Sequence, residues 1–470
     1  MSAQDTLEKA SLDSKDEKKS TSHVALVTDQ HVEITPEEER RLRRKIDLHL
    51  MPLMCVLYWI QFMDKTTLGS AAILGIKTST HLTTNEYNWL GTIFYLSYLA
   101  FEYPQNLALQ RFPVGKWMSL NIFVWGVALC SHAACKNFGG LFACRFILGI
   151  CEGSITAGFM IVTSMFYTRK EQTLRIGYWC PQIVIGFISF GSLYIKTGNF
   201  KPWQWLVIIT GILTLITSVC FFLMFPDSPT TAWFLTPEER VLAVQRLQAN
   251  QTGVENKRWK REQFIEALTD PKTWLFAAFS AFDNVPNSLT NQQQLIIANF
   301  GFTTLQTTLL AMVNGFVEIA TIFTGVNLAA RLPNSRAYVG TIYFMPTMLG
   351  IMLQQGWTLF GQWMTGMFVL ALSWLTNVTA GHTKKVTVNA IMLIAYCVGN
   401  AAGPFMWQAK YTPRNHIPWL IIGVCYATCM ALLMAIRARA EPRDTTYDDV
   451  YVEVVLPDGA RVERKVEKEY

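Results

Sequence analysis

The sequence predicts an all-α integral membrane protein in which twelve transmembrane helices form two six-helix bundles. Three observations carry that prediction. The 470-residue chain is 51% hydrophobic and only 16% charged, whereas soluble domains carry about a quarter charged residues. Its charges are also concentrated: of 40 basic and 34 acidic residues, 50 fall within residues 1–47, 226–272 and 437–470. The apolar runs between those segments are about 20 residues long, the length of helix that crosses ~30 Å of hydrocarbon.

Residues 1–47 are rich in Ser, Lys and Glu, a composition expected to give a largely disordered cytoplasmic tail. The tail lacks an apolar h-region, so no cleavable signal is expected and the first span directs insertion. Within it, Thr35-Pro36-Glu37-Glu38-Glu39 signals a helix start, with Thr35 as cap, Pro36 in the first turn and acids near the positive helix end. The N-terminal bundle, residues 48–225, contains expected spans near 48–72, 88–109, 115–134, 138–166, 174–196 and 204–225. A charged cytoplasmic loop, 226–272, precedes the C-terminal bundle, 273–437. Its spans are expected near 273–299, 306–330, 337–354, 357–378, 386–408 and 417–437. Pro104, Pro181, Pro286, Pro346 and Pro404 should kink the spans that hold them. In the cytoplasmic tail 438–470, period-two stretches flank Pro457-Asp458-Gly459. They signal a hairpin, although an isolated hairpin is marginal in water and an unstructured tail is the plainer reading.

Orientation follows from basic residues, which resist translocation. Cytoplasmic termini place Arg111, Lys116, Arg169, Lys170, Arg175, Arg331, Arg336, Lys384 and Lys385 in inner loops. Only Lys77, Lys136, Lys196, Lys201, Lys410 and Arg414 then lie outside. A plasma-membrane protein with both termini inside is expected. The basic runs at the membrane edge account for the net charge of +6 through attraction to anionic lipid, so nucleic acid is not needed as a partner. The ten cysteines show neither a disulfide framework nor zinc-ligand spacing and read as small hydrophobes. The sequons at Asn250 and Asn377 fall inside or within the membrane, where they go unused. No phosphate-binding loop, HExxH or GxSxG is present, so enzyme chemistry finds no foothold and no metal or cofactor is expected.

Seven ionisable residues remain inside the expected spans: Asp64, Lys65, Glu102, Arg145, Glu152, Asp283 and Glu318. At roughly 2.5–3.5 kcal/mol each, they cost on the order of 20 kcal/mol unless paired or facing water. Arg145 and Glu152 are seven residues apart and share a face of span 4, about 10 Å apart along its axis. Gly149 and Gly153 flank that face as a GxxxG pair, read first as close helix packing and second as room for substrate. Asp64-Lys65, late in the outward-running span 1, and Arg145, early in the inward-running span 4, are expected at similar depth. Two readings are open: a structural ion-pair network, or an anion site anchored by Lys65 and Arg145 with a carboxylate that changes protonation. Glu102 reads as a latch to inner-loop basic residues, and Glu318 as structural. Asp283-Asn284-Val285-Pro286-Asn287 should break span 7, with Asp283 and Asn284 lining a cavity.

Five blocks resemble one family: FMDKTTLGSAA, FEYPQNLALQRF, CRFILGICEGSITAG, FPDSPTTAWFLTPEER and the pair NVTAGHTKK and VGNAAGP. Together with the six-plus-six plan, they are similar to the fungal allantoate permease branch of the anion:cation symporters in the major facilitator superfamily. The resemblance spans about residues 36 to 440. It implies monomeric, proton-coupled uptake of a small organic anion such as allantoate, ureidosuccinate, nicotinate, pantothenate or biotin, by alternating access. It also implies that Asp64 and Glu152 carry the proton while Lys65 and Arg145 hold the substrate carboxylate. Asn287, Asn377 and Asn400 are expected beside the substrate. Two departures stand out: Lys65 where Arg is frequent, and WQAKYTPRN where relatives carry an Asp-Ala-Pro-type turn. Export of a metabolite and nutrient sensing through the tails are the competing functions. Against export, span 5 lacks the Gly-Pro-Gly-rich pattern of antiporters.

Overall fold

The computed structural model describes residues 35–167, 200–250, 260–310, 336–352, 382–412, 414–439, 450–455 and 461–466, with scattered positions in 191–195 and 313–328. Expected spans 5 and 10, most of span 8, Glu318, Asn377 and Pro181 lie outside the described residues.

The first helix, α1 (Pro36–Ile73), begins where its capping signal lies: Thr35 and Glu38 form a reciprocal capping box, with Pro36 in the first turn. It then runs without a break through residue 48 and through Pro52, so residues 36–47 are helix and not loose tail. The reason is a buried stripe at helical spacing: Leu42, Ile46 and Leu50 are at most 3% exposed, while the basic side chains between them face outward. The helix stops at Gly75, whose φ of +98° suits a residue without a side chain.

The remaining N-terminal helices are α2 (Thr84–Arg111), α3 (Val114–His132), α4 (Phe138–Phe166) and α5 (Pro202–Met224). A Thr83–Glu86 capping box starts α2, and Asn137 caps α4. The start of α3 is capped from a distance: Asp227 accepts hydrogen bonds from the Gly115 and Lys116 N–H groups at 2.9 and 3.3 Å. In the central segment, α6 (Pro237–Asn250) and α7 (Arg261–Thr269) lead into α8 (Pro271–Asn284). A 3₁₀ turn, Pro286–Ser288, interrupts span 7 before α9 (Leu289–Asn299), at the proline where the break was expected. Then come α10 (Arg336–Met352), α11 (His382–Ala402) and α12 (His416–Arg439), and finally strands β1 (Val450–Val455) and β2 (Arg461–Val466). The strands pair antiparallel with Val450 opposite Val466, so the period-two signal in the tail prevails over the unstructured reading.

Among the described residues the N-terminal helices bury two apolar clusters, a large one and a smaller one around Leu68, Leu90 and Trp203, and the helices from Arg261 onward bury a third. Between α2 and α4 the backbones touch: a Cβ on Gly149 would collide with Ser97 Oγ and the Phe94 carbonyl. The packing reading therefore holds at Gly149, whereas at Gly153 a Cβ would make only ordinary contact, 3.8 Å from the Tyr98 carbonyl. Phe123, Val127, Ile216 and Phe222 point away from these clusters and are exposed, as expected of a surface covered by lipid. Among the described residues, α1, α3, α4, α5, α11 and α12 are long and apolar enough to cross a membrane.

The chain enters the bundles at Pro36 and leaves them at Arg439; we call this end the base. Ion pairs brace it. Lys45 meets Glu239 at 2.6 Å, and Lys384 meets Glu266 at 2.7 Å and Asp270 at 3.1 Å. Burial alone would raise the Glu239 pKa, but the hydrogen bonds from Lys45 and the Thr236 N–H hold the carboxyl below its usual value. Burial likewise disfavours the Lys384 ammonium, yet the two acids outweigh it and raise its pKa.

Candidate functional site

Along α1, Gln61 lies three residues before Asp64 and four before Lys65, so its side chain is flanked by both one turn on. Opposite them stands Glu152 of α4. Gln61 Nε2 donates to Glu152 Oε2 at 3.2 Å, and Trp125 Nε1 of α3 donates to Asp64 Oδ2 at 2.8 Å. Asp64 is 1% exposed and Glu152 is fully buried. The two carboxyls lie against each other, and Lys65 is the cation that acts on Glu152. Asp64 Oδ1 and Glu152 Oε1 have no hydrogen-bond partner. Two buried acids thus face one partly exposed lysine.

Arg145 departs from expectation. It sits two turns up α4 toward the end opposite the base, beside Tyr87 of α2 and His132 of α3. Among the described residues no hydrogen bond or ion pair joins it to Asp64 or Glu152. Arg145 is 5% exposed and its Nε has no partner. The single four-charge cluster is therefore two adjacent subsites. The offset follows from helical geometry, since seven residues of rise separate Arg145 from Glu152 along one face.

Several participants were not singled out by their sequence. Tyr58 of α1 and Tyr95 of α2 lie close enough to act on Lys65. Tyr95 meets Tyr396 of α11 edge to face, with ring centres 6.1 Å apart. The site is thus walled by tyrosines from both bundles. Their only signal is spacing: Tyr95 and Tyr98 share a face of α2, just as Trp125 and His132, seven apart, share a face of α3.

In the C-terminal half, the polar residues serve one another. Asn287 Nδ2 donates to Asn400 Oδ1 at 2.6 Å. Asn400 Nδ2 donates to Asn284 Oδ1 at 3.0 Å, and Asn284 Nδ2 to the Ser280 carbonyl at 2.8 Å. Asn284 and Asn400 thereby clasp α8 to α11 and are buried. Of the two residues expected to line a cavity, Asn284 is taken up in this clasp and Asp283 faces Tyr426 and Cys429 of α12. Neighbouring residues of one helix turn about 100° apart, so 283 and 284 point to different neighbours. Glu102 faces Tyr98 and Cys397 and has no ion pair with a loop base among the described residues.

Beyond the site, at the end opposite the base, the two halves are locked together. Tyr87 OH donates to the Asn291 carbonyl at 2.9 Å, and Asn88 Nδ2 to the Trp407 carbonyl at 2.7 Å. Thr92 Oγ1 donates to the Ala401 carbonyl at 3.0 Å, and Gln294 Nε2 to Ser70 Oγ at 3.0 Å. The unusual WQAKYTPRN block supplies part of this closure through Trp407. Polar residues facing the partner half also explain why α2 is less apolar than its neighbours. No group of three His, Cys, Asp or Glu among the described residues is placed to hold a metal ion.

Helices with a lipid-facing surface, arranged as two bundles around buried charges that are only partly satisfied, define a transporter-type membrane protein. The chain belongs to the Major Facilitator Superfamily, which it matches over residues 54–404. It falls within the fungal branch that includes allantoate permease. An uncharacterized transporter of Schizosaccharomyces pombe is 35% identical over 86% of this chain and 82% of its own length. The allantoate permease of Saccharomyces cerevisiae is 33% identical over 86% of this chain and 80% of its own. A solved D-xylose-proton symporter shares the fold with a TM-score of 0.61 at 13% identity, covering 84% of this chain and 98% of that one. The protein is thus a multi-pass membrane transporter.

Proposed function

We propose that this transporter imports a small carboxylate-bearing metabolite together with a proton. The observation that carries the reading is a buried guanidinium with no acid partner among the described residues, two turns from a carboxyl pair that shares one lysine. A buried, unpaired arginine is expensive, and an incoming carboxylate held by two parallel N–H···O bonds offsets that cost. The carboxyl pair stores the coupling proton. With a proton on Asp64 or Glu152, Lys65 is less engaged by Glu152 and is freer to join Arg145 in holding the anion. Loss of the proton toward the base restores the Glu152–Lys65 attraction and weakens the anion's hold.

In this reading the base is cytoplasmic, the locked end faces outward, the membrane is the plasma membrane and the working unit is a monomer. Asn284, Asn287 and Asn400 support α8 and α11 against the site. Allantoate is the first substrate to try because the relative named for it is similar across most of the chain; nicotinate and pantothenate follow. The test is uptake of labelled carboxylates by cells expressing the full chain, in acidic and near-neutral medium, with and without an uncoupler. Acid-stimulated, uncoupler-sensitive accumulation of one compound is expected. Enhanced efflux of a compound with no accumulation of any would overturn the proposal.

A further inference from the structure

We propose that Cys135 and Cys144 form a redox-active dithiol that closes to an intramolecular disulfide at the α3–α4 turn. The cysteines of the sequence show no disulfide spacing, but the fold brings these two sulfurs to 3.8 Å. Three local features do so. After α3 ends at His132, the N–H groups of Ala133, Ala134 and Cys135 bond back to the carbonyls of Cys130, Ser131 and His132, which winds the chain tightly. Asn137 then caps α4 by accepting from the Gly140 N–H at 3.0 Å, which starts the helix at once. Finally, Gly140 leaves the gap that Cys135 fills: a Cβ there would meet Cys135 Sγ at 3.1 Å and its Cβ at 3.4 Å. Cys135 can therefore lean across the first turn of α4 toward Cys144.

Bonded sulfurs stand about 2 Å apart, so closure needs a movement of about 2 Å, within the reach of side-chain rotation beside a short turn. Both residues are partly exposed, as are Cys55, Cys130 and Cys220, in contrast to the buried Cys151, Cys397, Cys425 and Cys429. The oxidant is a low-molecular-weight disulfide such as glutathione disulfide. One cysteine thiolate attacks it, forms a mixed disulfide and releases one glutathione thiol. The second cysteine sulfur then displaces the second glutathione, which takes up the remaining proton. Two cysteine thiols are oxidised, one glutathione disulfide is reduced, and two glutathione thiols leave. The new bond would staple the turn immediately before Arg145. In the orientation proposed above, the pair faces the oxidising exterior, where disulfides persist; the pairing itself does not depend on that orientation.

The test uses the full-length protein in detergent, equilibrated with glutathione at rising ratios of disulfide to thiol. Free thiols are then trapped with N-ethylmaleimide and the digest is read by mass spectrometry. A Cys135–Cys144 cross-linked peptide, lighter by two hydrogens, should grow with the ratio. It should vanish in Cys135→Ser and in Cys144→Ser, each leaving glutathione on the surviving cysteine. Monodisperse protein whose two thiols are both trapped by maleimide at the highest ratio would overturn the proposal. So would glutathione on both without any cross-link. The readout is covalent and independent of uptake, so its failure is distinct from failure of the import reading.

Discussion

Two polar clusters, one in each half, are held in the membrane by opposite means. At the α8–α11 contact, the amides of Asn284, Asn287 and Asn400 bond to one another, while the neighbouring Asp283 keeps a buried oxygen without a partner. In α1 and α4, Asp64, Glu152 and Arg145 each keep a buried polar atom without a partner. Satisfied networks hold helices together, whereas unsatisfied charge is retained at a cost that a ligand or a proton can offset. The difference supports the proposed division of labour, with binding and proton chemistry at the α1–α4 cluster and clasping at the asparagine cluster of α8 and α11.

The comparison breaks most visibly at Arg145. Arg145→Ala removes a pair of charge-assisted hydrogen bonds worth about 1.5–3 kcal/mol each. Apparent substrate affinity should fall by on the order of 100-fold or more. Because no acid among the described residues pairs with the guanidinium, the melting temperature of the ligand-free protein should hold or rise. Normal uptake by this variant would end the anion-site assignment.

Asn400→Ala should behave inversely. It strands Asn287 Nδ2 and Asn284 Oδ1, at a cost of about 1–3 kcal/mol, seen as a lower melting temperature. Substrate affinity in the folded fraction should change by no more than a few-fold. A large affinity loss without destabilisation would move Asn400 into the binding site.

The smallest effect belongs to the base. Lys45→Ala should cost at most about 1 kcal/mol, since the Lys45–Glu239 pair is partly exposed. The folded pKa of Glu239 is depressed. Its contribution is therefore whole above the unfolded value of about 4.3 and is lost as pH falls through the lower folded value. Melting temperature against pH should accordingly be flatter in that acid window for Lys45→Ala than for the parent.

The bundles and the charged half of the site were legible because charge inside an apolar run stands out. Asp64, Lys65, Arg145 and Glu152 could be found by scanning. Trp125, Gln61 and the tyrosines could not, because such residues are ordinary in spans and acquire meaning only from what faces them. The start of α1 was readable at Thr35, but its continuity was obscured by the run from Arg40 to Lys45, whose charge hides the buried Leu42 and Ile46. The separation of Arg145 from Asp64 depends on how far α1 and α4 slide past each other, which periodicity does not encode. Cys135 and Cys144 meet because of one turn and one missing side chain, also invisible to spacing.

The central claim is that the Asp64–Glu152 pair couples a proton to the anion. It is tested most directly in proteoliposomes bearing the Glu152→Gln protein, with a labelled substrate and an imposed pH gradient. The account predicts exchange of internal for external substrate at a rate near the parent's, with no uphill accumulation. Accumulation driven by the gradient to the parent's level would contradict it.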